Sequence, residues 1–253
     1  MQRVFITGAS SGIGAALAQR YAEQGASLGL VARRGDVLET LRASLPDAAR
    51  HSIHVVDVDD HAALAQAARE FMALHGGIDV VVASAGVSQG TLTEHAEDLP
   101  VFEQIVATNL LATVATFSPF IAAMKTQGHG RLVGIASVAG IRGLPGAGAY
   151  SASKAATISY CESLRVELRS SGIKVVTITP GYIDTPMTQH NAYPMPFLMP
   201  ARKFARAAVA AIESGASYRV IPWQMGVVAK ILRLLPNALY DLAFSRAPQK
   251  ARK

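Results

Sequence analysis

Thr7-Gly8-Ala9-Ser10-Ser11-Gly12-Ile13-Gly14 follows directly on a short β-rich run, Arg3 to Thr7, and leads into apolar residues at helical spacing, Ile13, Leu17 and Tyr21. Glycines in such a place let the chain turn tightly and bring backbone N–H groups and the positive end of a helix against a pyrophosphate. A glycine pattern alone is weak; a strand before it and a helix after it are what give it weight. A bare glycine turn without a ligand is the lesser reading. Gly8-Ala9-Ser10-Ser11-Gly12 also spells the GxSxG elbow of a hydrolase. That elbow needs an oxyanion loop from an earlier strand, and only a handful of residues precede Gly8. Nor does a P-loop lysine follow the last glycine, which disfavours NTP hydrolysis.

Outward from this turn, β-rich runs alternate with helical patterns. Arg3 to Thr7, Ser27 to Ala32, His51 to Val58, Val80 to Ala83, Arg131 to Ala136, Lys174 to Thr179 and Tyr218 to Ile221 read as strands. Between them apolar residues recur at helical spacing, as in Leu64, Ala68 and Phe71. Alternation of this kind means βαβ crossovers and a parallel sheet covered on both faces. The expected fold class is α/β: a single doubly wound Rossmann-type domain with a mostly parallel seven-stranded sheet. Residues 1–222 would form its dinucleotide-binding and catalytic body, and 223–253 an amphipathic, basic C-terminal extension of the same domain. From Asp184 to Pro200 the rhythm breaks in a proline- and methionine-containing stretch, read as a long functional loop.

Bulk composition narrows the field. A chain of 253 residues, 50% hydrophobic and 6% aromatic, suits one large core of helices against a parallel sheet. The net charge of +6 resembles a nucleic-acid signal until it is located. Lys230, Arg233, Arg246, Lys250, Arg252 and Lys253 against Asp241 account for +5 of it, so no basic groove crosses the body and no nucleic acid is expected. Cys161, alone, forms no internal disulfide and points to a reducing, cytoplasmic setting. No secretion signal is read at the N-terminus, and no run of about 18 apolar residues is read as a spanning helix. The histidines show no metal-ligand spacing, so no metal is assigned. Cys161 reads as a small buried hydrophobe, and Asp184 as a cap.

Two further stretches carry chemistry. The second strand ends in Ala32-Arg33-Arg34, where a dinucleotide fold receives the adenosine ribose. An acid there would accept the 2′-OH; arginines instead suit a 2′-phosphate, so Arg33 and Arg34 point to NADP(H). The lesser reading is two solvated arginines in a turn. The missing acid also counts against a methyltransferase. Tyr150-Ser151-Ala152-Ser153-Lys154 opens a helix on which Tyr150 and Lys154, four apart, share a face. An ammonium at about 4 Å with an effective dielectric near 20 supplies about 4 kcal/mol, roughly three pKa units, and brings the phenol towards neutral pH. Ser137 closes the strand before it, at an end where open α/β sheets place ligands.

TGASSGIG, YSASK, a serine thirteen residues before the tyrosine, and Asn109 in Thr108-Asn109-Leu110 together resemble the short-chain dehydrogenase/reductase family, from Arg3 to about Ile221. The resemblance implies that Ser137 holds the substrate oxygen, Tyr150 protonates it, and Lys154 binds the nicotinamide ribose while lowering the tyrosine pKa. Asn109 would support the lysine through a water. For the cofactor it implies Thr7, Gly8, Ser10, Ser11, Gly12, Ile13 and Gly14 at the phosphates, with Asp57 and Val58 at the adenine. Ser84, Ala85 and Gly86 would follow the fourth strand, and Pro180, Gly181, Ile183 and Thr185 would flank the nicotinamide. One departure stands out: the family's NNAG is Ala83-Ser84-Ala85-Gly86 here, and Ser84 lacks an amide's paired donor and acceptor.

The expected activity is hydride transfer between NADP(H) and a carbonyl or secondary alcohol. The apolar stretches Ile141 to Ala147 and Asp184 to Pro200 lean towards a lipophilic substrate. A cofactor-binding scaffold without turnover is the competing class, although it would have lost Ser137, Tyr150 or Lys154. The resemblance also implies a homodimer or homotetramer packed through helices over about Phe102 to Lys125 and Ala149 to Ser171. In the extension, Val227, Val228, Ile231, Leu234, Leu235 and Ala238 share one helical face, opposite Gly226, Lys230, Arg233 and Asn237. Either that apolar face packs on the domain or a subunit, or it lies on a membrane with the basic tail beside it.

Overall fold

The computed structural model describes residues 1–189, 191, 193–245 and 250–252. In chain order they form β1 (Arg3–Thr7), α1 (Gly12–Glu23), β2 (Ser27–Ala32), α2 (Gly35–Ser44), β3 (Ser52–Val55), α3 (His61–His75) and β4 (Val80–Ala83). Then come α4 (Leu99–Val106), α5 (Ala112–Gln127), β5 (Gly130–Ile135), α6 (Gly148–Glu167) and β6 (Ile173–Pro180). The chain closes with β7 (Ile183–Asp184), β8 (Met199–Pro200), α7 (Ala201–Glu213), β9 (Tyr218–Ile221), α8 (Trp223–Leu234) and α9 (Asn237–Phe244). Seven strands make one parallel sheet in the order β3-β2-β1-β4-β5-β6-β9, the doubly wound arrangement expected.

Because the sheet is covered on both faces, its central strands are buried almost throughout, and successive side chains feed two different cores. Val4 and Ile6 of β1 point to the side of α1 and α7, where Leu17, Tyr21, Phe204 and Ile212 are buried. Phe5 points to the other side and joins Phe71, Phe117 and Phe120 from α3 and α5. Burying side chains of this size contributes about 1.5–3 kcal/mol each.

β3 is shorter than expected. After Val55 only Val56 N–H still reaches across the sheet, to Ala32 O, and Asp57 turns the chain by accepting from Asp59 N–H and Asp60 N–H. The helix expected over Phe102 to Lys125 is broken into α4 and α5 by a wide π turn at Ala107–Leu111, which holds Asn109. From Ala96 to Gln127 this stretch is long and apolar enough to cross a bilayer by length and composition, a test that core helices also pass, and its Phe117, Phe120 and Met124 are buried against the sheet. The long loop after β6 is pinched at its base by β7 and β8.

The extension breaks at Pro236 into α8 and α9, and α8 is turned the opposite way from the packing the periodicity favours. Met225, Gly226 and Ala229 face inward, while Val227, Ile231 and Leu234 are exposed by 48%, 59% and 84%. The small residues win the inner face because α8 lies close on β9: a Cβ on Gly226 would stand 3.1 Å from Val220 Cβ. Of the basic tail, Lys250 and Arg252 lie against the body, bonded to Ser88 and Asp98; Arg246 and Lys253 fall outside the described residues.

Candidate active site

The C-terminal ends of β1, β4, β5 and β6 open into a cavity of about 880 Å³, at the point where the strand order reverses between β1 and β4. That is where open α/β sheets hold ligands. Gly8 and Gly12 adopt φ +70 and +55, the left-handed region an L side chain rarely takes. Gly14 is needed for another reason: a Cβ there would sit 2.2 Å from Gly8 O. Ser11 precedes α1 in an extended conformation without a side-chain cap bond, so the N–H groups of the first turn face the cavity unclaimed by its hydroxyl. Gly8, Ser10, Ser11, Gly12, Ile13 and Gly14 all line it.

At the far end Arg33 and Arg34 line the wall beyond Ala32. Arg33 Nη1 stands 3.6 Å from Asp57 Oδ2, and Arg34 Nη2 donates to Ser10 Oγ at 3.0 Å, which draws the second arginine towards the glycine turn. Val58, Ser84, Ala85, Gly86, Pro180, Gly181, Ile183 and Thr185 complete the expected lining. Two polar atoms on this wall, Ser84 Oγ and Asp59 Oδ1, are buried with no protein partner. Orphans of that kind suit a polar ligand, since a buried unsatisfied group costs about 1–3 kcal/mol. Open helix N–H groups, paired arginines and orphaned oxygens together fit a nicotinamide dinucleotide.

The chemistry-bearing residues meet at the other end. Ser137 follows β5 after Ala136, its Oγ accepting from Ala139 N–H at 3.2 Å. Tyr150 and Lys154 reach the same cavity from the first turns of α6. Burial raises the Tyr150 pKa, and the nearby Ser137 hydroxyl opposes the rise. Lys154 Nζ donates to Ile135 O at 2.8 Å and lies 5.9 Å from the Tyr150 ring centroid. Burial lowers its pKa to about 8. The expected lowering of the tyrosine by a lysine about 4 Å away is therefore corrected: the Tyr150 pKa is raised. Here the ammonium is turned to a backbone carbonyl, and burial governs the phenol.

Thr7 and Asn109 stand behind the wall rather than on it. Thr7 Oγ1 accepts from Ser84 N–H at 3.2 Å and Ala85 N–H at 3.4 Å, stitching β1 to the loop after β4. Asn109 is fully buried; its Oδ1 accepts from Val87 N–H at 2.8 Å and its Nδ2 donates to Val87 O and Ser153 Oγ, each at 3.0 Å. Its amide thus ties the loop after β4 to α6 beside Lys154. Sequence reading missed a neighbouring group: Gln104 Nε2 and Thr108 Oγ1 donate to Asp59 Oδ2 at 2.7 and 2.9 Å. Its one sequence signal was the adjacency of Thr108 to Asn109. Met187 and Thr188, from the loop after β7, also line the cavity.

The family model for short chain dehydrogenase matches residues 2–194, which include the glycine turn, Ser137, Tyr150 and Lys154. The chain belongs to that family. This short-chain dehydrogenase is 39% identical over 246 residues to a Myxococcus xanthus protein named as an uncharacterized oxidoreductase, covering 95% of each chain. Among solved structures it superposes on an alcohol dehydrogenase of Thermococcus sibiricus complexed with 5-hydroxy-NADP, with TM-score 0.77 and 25% identity over 87% of this chain and 96% of that one. It superposes equally on the 3-ketoacyl-(acyl-carrier-protein) reductase of Brucella melitensis complexed with NADH, at TM-score 0.79 and 25% identity with the same coverage. It is an oxidoreductase with a nicotinamide-binding fold; the two neighbours hold different nicotinamide cofactors.

Proposed function

We propose that this short-chain dehydrogenase transfers a hydride between NADP(H) and a carbonyl or secondary alcohol, with Tyr150 as the proton donor or acceptor. The convergence of Ser137, Tyr150 and Lys154 on one end of a cleft whose other end carries Arg33 and Arg34 supports the reading. The nicotinamide, when bound, supplies or receives the hydride. Ser137 orients the substrate oxygen. Tyr150 passes its phenolic proton to that oxygen in reduction and takes one back in oxidation. Lys154, turning from Ile135 O, would face the nicotinamide ribose and bring a positive charge towards the phenol, so that the acidity Tyr150 loses to burial is recovered on binding. Asn109 acts as a positioning residue by holding Val87 and Ser153.

The arginines favour NADP(H), because a charge-assisted bond to a 2′-phosphate is worth about 1.5–3 kcal/mol, roughly tenfold or more in affinity. Fluorescence titration of the parent is expected to give at least about tenfold tighter binding of NADPH than NADH, and Ala32→Asp with Arg33→Ala to reverse the preference. Equal affinity in the parent would remove NADP(H) from the reading. The cytoplasmic setting and a lipophilic substrate rest on Cys161 and on the apolar loops flanking the cleft. A binding scaffold without turnover is the contrary reading, and a carbonyl panel followed by NADPH absorbance separates the two.

Exposed apolar side chains support two contacts outside the cleft. Leu99, Leu111, Val114 and Val166 on α4, α5, the turn between them and α6 are exposed, as a homodimer or homotetramer through those helices would require. The outward stripe of α8, Trp223, Val227, Ile231 and Leu234 beside Lys230 and Arg233, suits the headgroup region of an anionic bilayer.

A further inference from the structure

The two loops that border the substrate end of the cleft touch each other and are held from outside by the same end of the chain. The loop after β4 meets the stretch between Ser137 and Tyr150 where Thr91 N–H donates to Gly146 O at 3.1 Å. On the second of these, Arg142 reaches out to α8 and α9. Its Nη1 donates to Arg233 O and Leu235 O at 3.1 and 3.0 Å, its Nη2 to Asn237 Oδ1 at 3.0 Å, and its guanidinium lies 4.1 Å above the Tyr240 ring. A cation at the carbonyl end of a helix satisfies acceptors that α8 cannot satisfy itself. Tyr240, the one buried side chain of α9, donates its hydroxyl to Gly143 O.

On the first loop the chain end lies along Gly90. Gly90 N–H donates to Ala251 O at 3.1 Å, and a Cβ on Gly90 would stand 2.2 Å from Lys250 O. Arg252 grips Asp98 with two bonds, Nε to Oδ2 at 2.8 Å and Nη2 to Oδ1 at 3.1 Å, and Lys250 Nζ donates to Ser88 Oγ at 2.8 Å. The geometry is the forked pairing in which arginine fixes direction as well as charge. Asp98 Oδ2 also accepts from Leu92 N–H at 2.7 Å, so the grip is passed to the loop's backbone. Ser88 itself lines the cleft.

We propose that residues 223–245 and 250–252 are a clasp that positions the substrate-side walls of the site, through Arg142 and Tyr240 on one wall and Gly90, Asp98 and Arg252 on the other. Residues in this segment act through the loops and touch no reacting atom. The inference rests on the oxidoreductase reading only for its kinetic consequence. Its test has two arms on the full-length protein with NADPH bound, comparing the parent with Arg252→Met, Gly90→Ala and Tyr240→Phe. Hydrogen exchange of the loop is expected to rise at least tenfold at the Gly90 and Leu92 amides in the first two variants. NADPH affinity should stay within about twofold of the parent, since no residue of the clasp lies at the glycine turn. With 9,10-phenanthrenequinone and methylglyoxal as a bulky and a small dicarbonyl, the variants should raise KM at least about fivefold with kcat changed less. Arg252→Lys, which keeps the charge without the fork, should fall between. Unchanged exchange at Gly90 and Leu92 in Arg252→Met overturns the clasp whatever the turnover. A parent that reduces neither probe, with exchange responding as stated, leaves the clasp standing and counts against the proposed NADPH-dependent carbonyl reduction instead. Should Gly90→Ala not fold, Arg252→Met alone decides.

Discussion

Lys154 is a cleft residue whose environment moves it well away from its ordinary chemistry. Burial pulls its pKa from 10.5 to about 8, because a low-dielectric surround disfavours the ammonium. A lysine whose folded-state value lies below its unfolded value costs stability as pH falls through that window. Its role in turnover has the opposite sign, since the ammonium is the useful form. In carbonyl reduction Tyr150, held up by burial, stays protonated, so the alkaline limb belongs to the lysine. kcat/KM for NADPH reports the free enzyme and is expected to be level below pH 8 and to fall above it, by about tenfold per unit. A profile flat to pH 10 would remove Lys154 from the mechanism. The residue scale is also where sequence reading did best and worst. Ser137, Tyr150 and Lys154 were legible because their spacing is local or closes a strand. The direction of Lys154 Nζ, towards Ile135 O rather than the phenol, is set by the carbonyl of a neighbouring strand and leaves no mark in the motif.

At the scale of elements, six of the seven strands were legible to within about a residue, because a parallel strand buried on both faces reads as an unbroken β-rich run. β3 was over-read, since Asp57 and the turn after it sit in the same β-rich run. The C-terminal helices were legible as helices but not in their orientation. Periodicity identifies an apolar face without saying which way it points, and close packing of Gly226 and Ala229 on β9 turns that face outward. This exposed stripe carries its own prediction. In sedimentation at low salt the protein should co-pellet with vesicles containing anionic lipid and stay with the supernatant of neutral ones, and Ile231→Glu with Leu234→Glu should abolish pelleting. A parent that remains in the supernatant with anionic vesicles would assign the stripe elsewhere.

For the whole molecule, contacts between distant parts of the chain are what sequence could not supply. Arg252 meets Asp98 across 154 positions, and nothing local to either announces it. The same blindness applies to copies of the chain, and light scattering at micromolar concentration is expected to return a dimer or tetramer; a monomer would contradict assembly through α4 to α6. The sheet, the two cores and the cleft bring a cofactor-sized groove, a buried serine, a half-buried tyrosine and a buried lysine to one place, and the tyrosine carries the proposed proton transfer. The direct measurement is NADPH oxidation by Tyr150→Phe beside the parent, with a carbonyl that the parent reduces, after titration has shown that both bind NADPH alike. Removing only the transferable proton should lower turnover by about 100- to 10,000-fold, whereas turnover within a few-fold of the parent would contradict the assignment of Tyr150 as the proton donor.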